Sequence, residues 1–150
     1  MNVRAAWIGA LAFGLAACSA APDKEADPVV NPVPYFEIPV DDMDRAVAFY
    51  EGLLGTKLTR QKVDGYDMAL FPFEEGAPGA TGALAKGDVY RPSKNGPILY
   101  FRVKDIRQIV AKAQAMGRPI LYPVKDIGDA GYVAEIEDSE GNRLALLQPR

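Results

Sequence analysis

The chain has 150 residues, with 17 basic and 20 acidic side chains, a formal net charge of −3 and no histidine. Its mildly acidic composition, without clusters of basic residues, argues against a nucleic acid partner. The missing histidine excludes histidine-dependent catalysis, and the single cysteine, Cys18, excludes a disulfide within the chain.

The first 17 residues are typical of a secretory signal. One charged residue, Arg4, precedes an apolar run that is too short for a membrane-spanning helix. The run ends in Leu15-Ala16-Ala17-Cys18, which resembles the lipobox of bacterial lipoproteins. This resemblance implies cleavage before Cys18 and lipidation of its sulfur. The alternative is an ordinary signal peptide or anchor that happens to contain a cysteine.

Residues 18–32 are expected to be a lipidated cysteine followed by a flexible tether, because the segment is rich in Ala, Pro and Asp. The alternative is an N-terminal arm packed on the domain, which Val29 and Val30 would favour. A lipid anchor places the protein in the cell envelope. By resemblance to enterobacterial lipoproteins, Ser19 after the cysteine favours the outer membrane, with the protein facing the periplasm.

Residues 33–150 are predicted to form one folded domain. The domain begins with a strand at residues 35–40, which is followed by an amphipathic helix. Asp42 suits the N-cap of this helix, and Gly55 suits its C-terminal end. Three shorter extended segments with turn signals between them follow, at residues 56–61, 66–73 and 82–86.

The second half of the domain repeats this pattern at a shift of 63 positions. Val40-Asp41-Asp42-Met43 aligns with Val103-Lys104-Asp105-Ile106, so a second helix is expected to begin after Asp105. This helix follows a strand at residues 97–103. Extended segments are again predicted after the helix, at residues 118–123, 131–137 and 143–148. The result is an internal duplication of a βαβββ module, at about residues 33–90 and 97–148.

Motifs at both ends of the domain carry a family resemblance. They are residues 36–46 and 48–51 with Gly55, and residues 138–146. With these motifs the chain resembles the vicinal oxygen chelate superfamily, which includes glyoxalase I, bleomycin-resistance proteins and extradiol dioxygenases. The resemblance implies an α+β fold in which two βαβββ modules curl a mixed sheet around a shared cavity, with the helices outside. A ferredoxin-like sandwich is the competing fold.

The resemblance also indicates where metal ligands would lie. These positions are occupied by Tyr35, Ile98, Ala145 and residues 82–85, none of which can hold a metal in the family's manner. Catalytic zinc, iron or nickel normally needs imidazole or thiolate ligands, so we expect no metal and no cofactor. An all-oxygen calcium or magnesium site around Glu37 is the alternative.

Alternation along the strands predicts which side chains face the cavity. Tyr35 and Glu37 of the first strand should face it, as should Tyr100 and Arg102 of the corresponding strand in the second module. Glu37 and Arg102 are candidate polar anchors for a small, mostly apolar ligand on which aromatic residues could stack. Alternatively, Glu37 is a rim acid or a partner of Arg102, Arg102 is solvated, and the aromatic residues belong to the core. The full set of candidate ligand-binding residues is Tyr35, Glu37, Met68, Tyr100, Arg102 and Tyr132.

Three functions follow from this predicted cavity. The favoured function is that of a membrane-anchored, metal-free protein that binds a small molecule. The second is a lyase- or isomerase-like enzyme in which Glu37 is the general base and Arg102 stabilises an anionic intermediate. The third is a structural lipoprotein that has lost its pocket. A homodimer is compatible with the duplicated modules, and the sequence leaves the oligomeric state open.

Overall fold

A computed structural model of the protein describes residues 32–150. The predicted signal peptide, Cys18 and all but the last residue of the predicted tether lie outside the described residues. None of the helices in residues 32–150 is long and apolar enough to cross a membrane.

Two βαβββ modules make up the described part of the chain. The first contains β1 (Tyr35–Pro39), α1 (Met43–Leu54), β2 (Thr59–Val63), β3 (Tyr66–Leu70) and β4 (Thr81–Lys86). The second contains β5 (Leu99–Arg102), α2 (Ile106–Ala115), β6 (Ile120–Asp126), β7 (Tyr132–Glu137) and β8 (Arg143–Gln148), with a short 3₁₀ turn at Gly128–Ala130.

Each module forms its own four-stranded mixed sheet, in the orders β1-β4-β3-β2 and β5-β8-β7-β6. In each sheet the first strand of the module runs parallel to its last strand, and the other pairs are antiparallel. The parallel pair requires the crossover that the helix provides. The predicted α+β fold with two βαβββ modules is confirmed, although the two sheets are not closed into one.

The helices begin and end where local chemistry predicts. The Asp42 carboxylate accepts a hydrogen bond from the Arg45 backbone N–H at 3.0 Å, and Asp105 caps α2 in the same way, through Gln108 at 3.0 Å. Gly55 ends α1 with a φ of 68°, a left-handed conformation that glycine adopts without a steric penalty. Equivalent caps in both modules agree with the internal duplication.

The strand after α1 begins later than predicted, at Thr59 rather than residue 56. The residues between the helix and β2 contact α1 instead of β3. Lys57 Nζ donates to a Glu51 carboxylate oxygen at 2.7 Å, and the Leu58 backbone N–H donates to the other at 3.0 Å. Because Glu51 binds this connection, pairing with β3 starts only beyond it.

One hydrophobic core lies under both sheets and includes residues of both helices. Four aromatic rings join the modules within it, with neighbouring ring centroids 5.6 to 6.2 Å apart, a normal spacing for tilted and edge-to-face pairs. They belong to Phe36, Tyr50, Phe71 and Phe101. Phe101 is the ring from the second module, so the two modules share this cluster.

A polar network connects the turn between β7 and β8 to the first module. The buried carboxylate of Asp138 accepts hydrogen bonds from Tyr50 Oη at 2.7 Å and from Asn142 Nδ2 at 2.9 Å. Asn142 Nδ2 also donates to the Pro39 carbonyl at 2.9 Å. These residues lie in the sequence motifs that carry the family resemblance, and here they hold the two modules together.

Candidate functional site

Two adjoining cavities lie in a cleft between β1 and β5. The first, of about 620 Å³, is lined by β1, by residues 91–99 and by the start of β8, and is called the Glu37 cavity below. The second, of about 560 Å³, is lined by β5, the loop before β4 and residues near the end of α1, and is called the Arg102 cavity. Val33, Phe36 and Leu99 line both. Both volumes fall in the range of small-molecule pockets, roughly 300–1,000 Å³.

Glu37 is held in the first cavity by a tyrosine from the connection between the modules. Tyr90 Oη donates a hydrogen bond to Glu37 Oε2 at 2.7 Å. This hydrogen bond raises the pKa of Tyr90 to about 12, because ionisation would lose the bond and leave two negative charges together. The Tyr90 ring packs edge-to-face on Tyr66 with centroids 5.4 Å apart, which fixes its position. Glu37 is therefore an oriented hydrogen-bond acceptor.

The remaining walls of the Glu37 cavity are mostly apolar, with a few polar groups among them. Arg91 Nη1 donates to the Tyr90 carbonyl at 2.8 Å, and Arg143 Nε lies 3.6 Å from a Glu135 carboxylate oxygen. Apolar lining residues include Phe36, Ile38, Pro39, Pro97, Ile98 and Leu99. Apolar walls with a few fixed polar groups are the usual composition of a small-molecule pocket.

Among the described residues, Arg102 is the only charged residue that lines the Arg102 cavity. Tyr100 lies two residues earlier on the same face of β5 and is 55% exposed. Within residues 32–150, no carboxylate lies within 4 Å of the Arg102 guanidinium. The described residues therefore contain no Glu37–Arg102 ion pair, and the two side chains line different cavities.

Tyr35 and Met68 line neither cavity. Tyr35 is partly exposed, and its pKa is raised by burial of part of the side chain and by the negative charge of Glu37. Met68 is only 4% exposed, because Tyr90 and its neighbours cover it on the face of the sheet opposite the main core. Met68 is thus on the predicted face but covered by protein.

Tyr132 lies on the other face of its sheet, away from the other five candidates. It shares that face with Ala134 and Ile136, which are buried in the main core. Its ring lies 5.3 Å from the guanidinium carbon of Arg150. The structure therefore brings Glu37, Tyr100 and Arg102 to the cleft, places Tyr35 and Met68 beside it and leaves Tyr132 outside.

Sequence reasoning missed Tyr90 and Arg91. Both lie in the irregular connection after β4, where no periodicity assigns a face to a side chain. The only signal was an aromatic and a basic residue placed together after the turn at Gly87. The contact of Tyr90 with Glu37, 53 residues earlier in the chain, depends on how the connection folds over the sheet.

The residues at the positions of the expected metal ligands do not fit a divalent metal. Tyr35 has Glu37 nearby, and Ala145 pairs in register with Glu135, but the chain has no histidine to supply an imidazole beside either carboxylate. Across the described residues 32–150, no three His, Cys, Asp or Glu side chains are grouped so that they could hold a metal ion.

Paired βαβββ modules around an apolar cleft define a class of proteins that includes small-molecule binders and enzymes. The chain belongs to the Glyoxalase/Bleomycin resistance protein/Dioxygenase superfamily, whose family model matches residues 33–146. The family resemblance predicted from the sequence motifs is thereby confirmed.

Among curated proteins, the chain is 30% identical over 120 residues to "Putative glyoxylase CFP32" of Mycobacterium bovis and of Mycobacterium tuberculosis. The match covers 76% of this chain and 44% of each relative, so the chain spans less than half the length of the curated relatives it matches.

Solved structures with the same fold include enzymes and binding proteins. Glyoxalase I of Leishmania major superposes with a TM-score of 0.62 at 22% identity, over 79% of this chain and 87% of that protein. TnmS3, an antibiotic binding protein from Streptomyces sp. CB03234, superposes with a TM-score of 0.60 at 24% identity. The match covers 82% of this chain and 99% of TnmS3. At these identities the likeness establishes the fold alone.

Proposed function

We propose that this protein is a membrane-anchored, metal-free binding protein that takes a small, mostly apolar molecule into the cleft between its two modules. The observation that carries the proposal is the Glu37 cavity, with apolar walls and one carboxylate held in place by Tyr90. An open cleft of this composition argues against a purely structural protein whose own side chains fill the pocket.

Glu37 serves as the polar anchor in this proposal. Tyr90 donates to one carboxylate oxygen, Oε2, and is the only side-chain donor to Glu37 among the described residues. The other oxygen is available for a hydroxyl or amide donor of the ligand. An acceptor held in one orientation fixes the ligand without the cost of ordering a free side chain.

The positions of Glu37 and Arg102 favour binding over the lyase- or isomerase-like alternative, which needs both groups at one site. A general base and an oxyanion-stabilising group must both reach the reacting atoms of one substrate. Glu37 and Arg102 line different cavities instead.

The metal-free part of the proposal rests on the chemistry of the side chains at the expected ligand positions. Because Tyr35, Ile98 and Ala145 supply no suitable donor set, ligand binding should be unchanged by a chelator. The likeness to the antibiotic binding protein TnmS3 supports a binding role that needs no catalysis.

Membrane attachment and a homodimer belong to the same proposal. The anchor rests on Leu15-Ala16-Ala17-Cys18, outside the described residues. Metabolic labelling with a radioactive fatty acid should mark the wild-type protein and not Cys18→Ala. Sedimentation analysis of the detergent-solubilised protein would decide the oligomeric state.

A ligand screen by thermal shift, with and without chelator, tests the binding function. Hits should bind saturably, and Glu37→Gln should weaken hits that have a hydrogen-bond donor by about tenfold, the effect of one charge-assisted hydrogen bond. Glu75→Gln, which alters an exposed glutamate outside both cavities, is the matched control. A screen with no hit in the cleft, or equal weakening by both variants, would contradict the proposal.

A further inference from the structure

We propose that the ligand of this cleft carries an anionic group, such as a carboxylate, sulfonate or phosphate, and that Arg102 binds this group. The inference rests on the proposed binding function and adds the chemical class of the ligand. Its basis is one guanidinium that has no acidic partner among residues 32–150 and lies in an otherwise uncharged cavity.

Other arginines near the cleft are already bonded to protein groups. Arg143 faces the Glu135 carboxylate, and Arg91 donates to backbone carbonyls. Two arginines of the first module also have carboxylate partners: Arg45 pairs with Glu140, and Arg60 pairs with Asp44. In contrast, no hydrogen-bond acceptor or carboxylate among residues 32–150 contacts the side chain of Arg102, so its donors are available to a ligand.

The position and the chemistry of Arg102 suit an anionic group. On β5 it lies opposite Leu147 of β8, and Tyr100 precedes it on the same face. Guanidinium groups are weakly hydrated, and their planar donors match carboxylate and phosphate oxygens bidentately.

The positive charge of Arg102 also disfavours a cationic group in the Arg102 cavity. Among the described residues, no carboxylate lines the Arg102 cavity, so a cationic group there would meet the positive charge of Arg102 without a compensating negative one. Glu37 lies in the adjoining cavity, and the two cavities share Phe36 and Leu99 as walls. The arrangement fits an apolar body with an anion at the Arg102 end and a hydrogen-bond donor at the Glu37 end.

Two fluorescent probes with the same aromatic body separate the anionic contribution from the apolar one. 8-Anilinonaphthalene-1-sulfonate carries a sulfonate, and N-phenyl-1-naphthylamine has the same aromatic framework without it. In titrations of the full chain, Arg102→Gln should weaken the sulfonate probe about tenfold or more, the effect of a lost charge-assisted contact. The neutral probe should keep its affinity, and Arg102→Lys should restore part of the sulfonate binding.

Two further variants locate the probes. Arg107→Gln removes an exposed arginine of α2 that lines neither cavity, and it should change neither affinity. Tyr100→Ala removes a wall of the Arg102 cavity and should weaken both probes. Since Arg102 is exposed and bonded to no described residue, Arg102→Gln should melt at the wild-type temperature.

The outcomes separate this inference from the function on which it rests. If both probes bind and Arg102→Gln changes their affinities equally or not at all, the anionic assignment is overturned while the cleft remains a binding site. If Arg107→Gln reproduces the loss, the sulfonate is bound by general surface charge and the assignment is likewise overturned. Failure of both probes to bind the wild-type chain would overturn the binding function itself, and this inference with it.

Discussion

Replacing Glu140 with glutamine tests the contact between the β7–β8 turn and the start of α1. The Glu140 side chain has no exposed surface, and its carboxylate accepts from Arg45 Nε and Nη2, both at 2.8 Å. It also accepts from the backbone N–H groups of Asp41 at 3.1 Å and Asp42 at 2.9 Å, and from Ser139 Oγ at 2.9 Å. The carboxylate therefore bonds to the N-terminal end of a helix, where negative charge is favoured.

The expected cost of Glu140→Gln follows from these contacts. Hydrogen bonds to charged groups contribute about 1.5–3 kcal/mol each. In glutamine one carboxylate oxygen is replaced by an NH₂ group, which cannot accept, so the donors on that side would lose their hydrogen bonds. Arg45 is 53% exposed, so water screens its part of the interaction and compensates for some of the loss. We expect the free energy of unfolding to fall by about 2–3 kcal/mol at neutral pH.

The pH dependence gives a second measurement on the same variant. Burial by itself raises the pKa of Glu140, but the hydrogen bonds from Arg45, Asp42 and Ser139 outweigh it and hold the pKa below its ordinary value. A carboxyl with a lowered folded-state pKa stabilises the fold above its unfolded pKa of about 4.3. That stabilisation is lost as the pH falls through the folded pKa, so the difference between wild type and Glu140→Gln should shrink below about pH 4.3.

Urea unfolding followed by circular dichroism measures both effects, since residues 32–150 contain no tryptophan for fluorescence. Glu75→Gln, at an exposed loop position, is the control. An unchanged midpoint for Glu140→Gln at neutral pH, or a difference from wild type that stays constant down to pH values well below 4, would refute the reasoning.

Three other substitutions test separate contacts. Tyr50→Phe removes the donor to the buried Asp138 carboxylate and should cost about 1.5–3 kcal/mol in urea unfolding. Gly82→Ala should destabilise the protein by about 1–3 kcal/mol, because a Cβ there would clash with the Phe36 carbonyl oxygen of β1; the fall in melting temperature measures the effect. Glu37→Gln should lower the pKa of Tyr90 from about 12 towards its ordinary value of about 10, as seen by ultraviolet titration of the tyrosines.

Each of these predictions has an outcome that would contradict it. Wild-type stability of Tyr50→Phe would mean that the remaining donors to Asp138 suffice. Gly82→Ala should be compared with Gly96→Ala, where a Cβ meets open space; equal melting temperatures would mean that β1 shifts at little cost. An unchanged titration of the tyrosines in Glu37→Gln would show that the Tyr90 hydrogen bond is absent in solution.

Local sequence information predicted the modules well. The N-caps at Asp42 and Asp105 and the helix end at Gly55 each depend on side chains and backbone angles within a few residues, so they can be recognised without the rest of the chain. Strand alternation was sufficient for β1, because one buried face requires the other to point away.

Alternation was less informative for β7. It places Tyr132 on the same face as Ala134 and Ile136, but only the folded structure shows that this face packs against the core. For Met68 the predicted face was correct, yet Tyr90 from a distant connection covers it. A strand pattern states which residues share a face and says nothing about what lies against that face.

The sequence was thus enough to predict two βαβββ modules and their family. The contact of Tyr90 with Glu37, the separation of Glu37 from Arg102 and the burial of Glu140 became visible only in the folded chain. The physical reason is distance along the sequence: Arg45 and Glu140 are 95 residues apart. Such contacts depend on how two modules pack together, whereas capping and periodicity are properties of a single helix or strand.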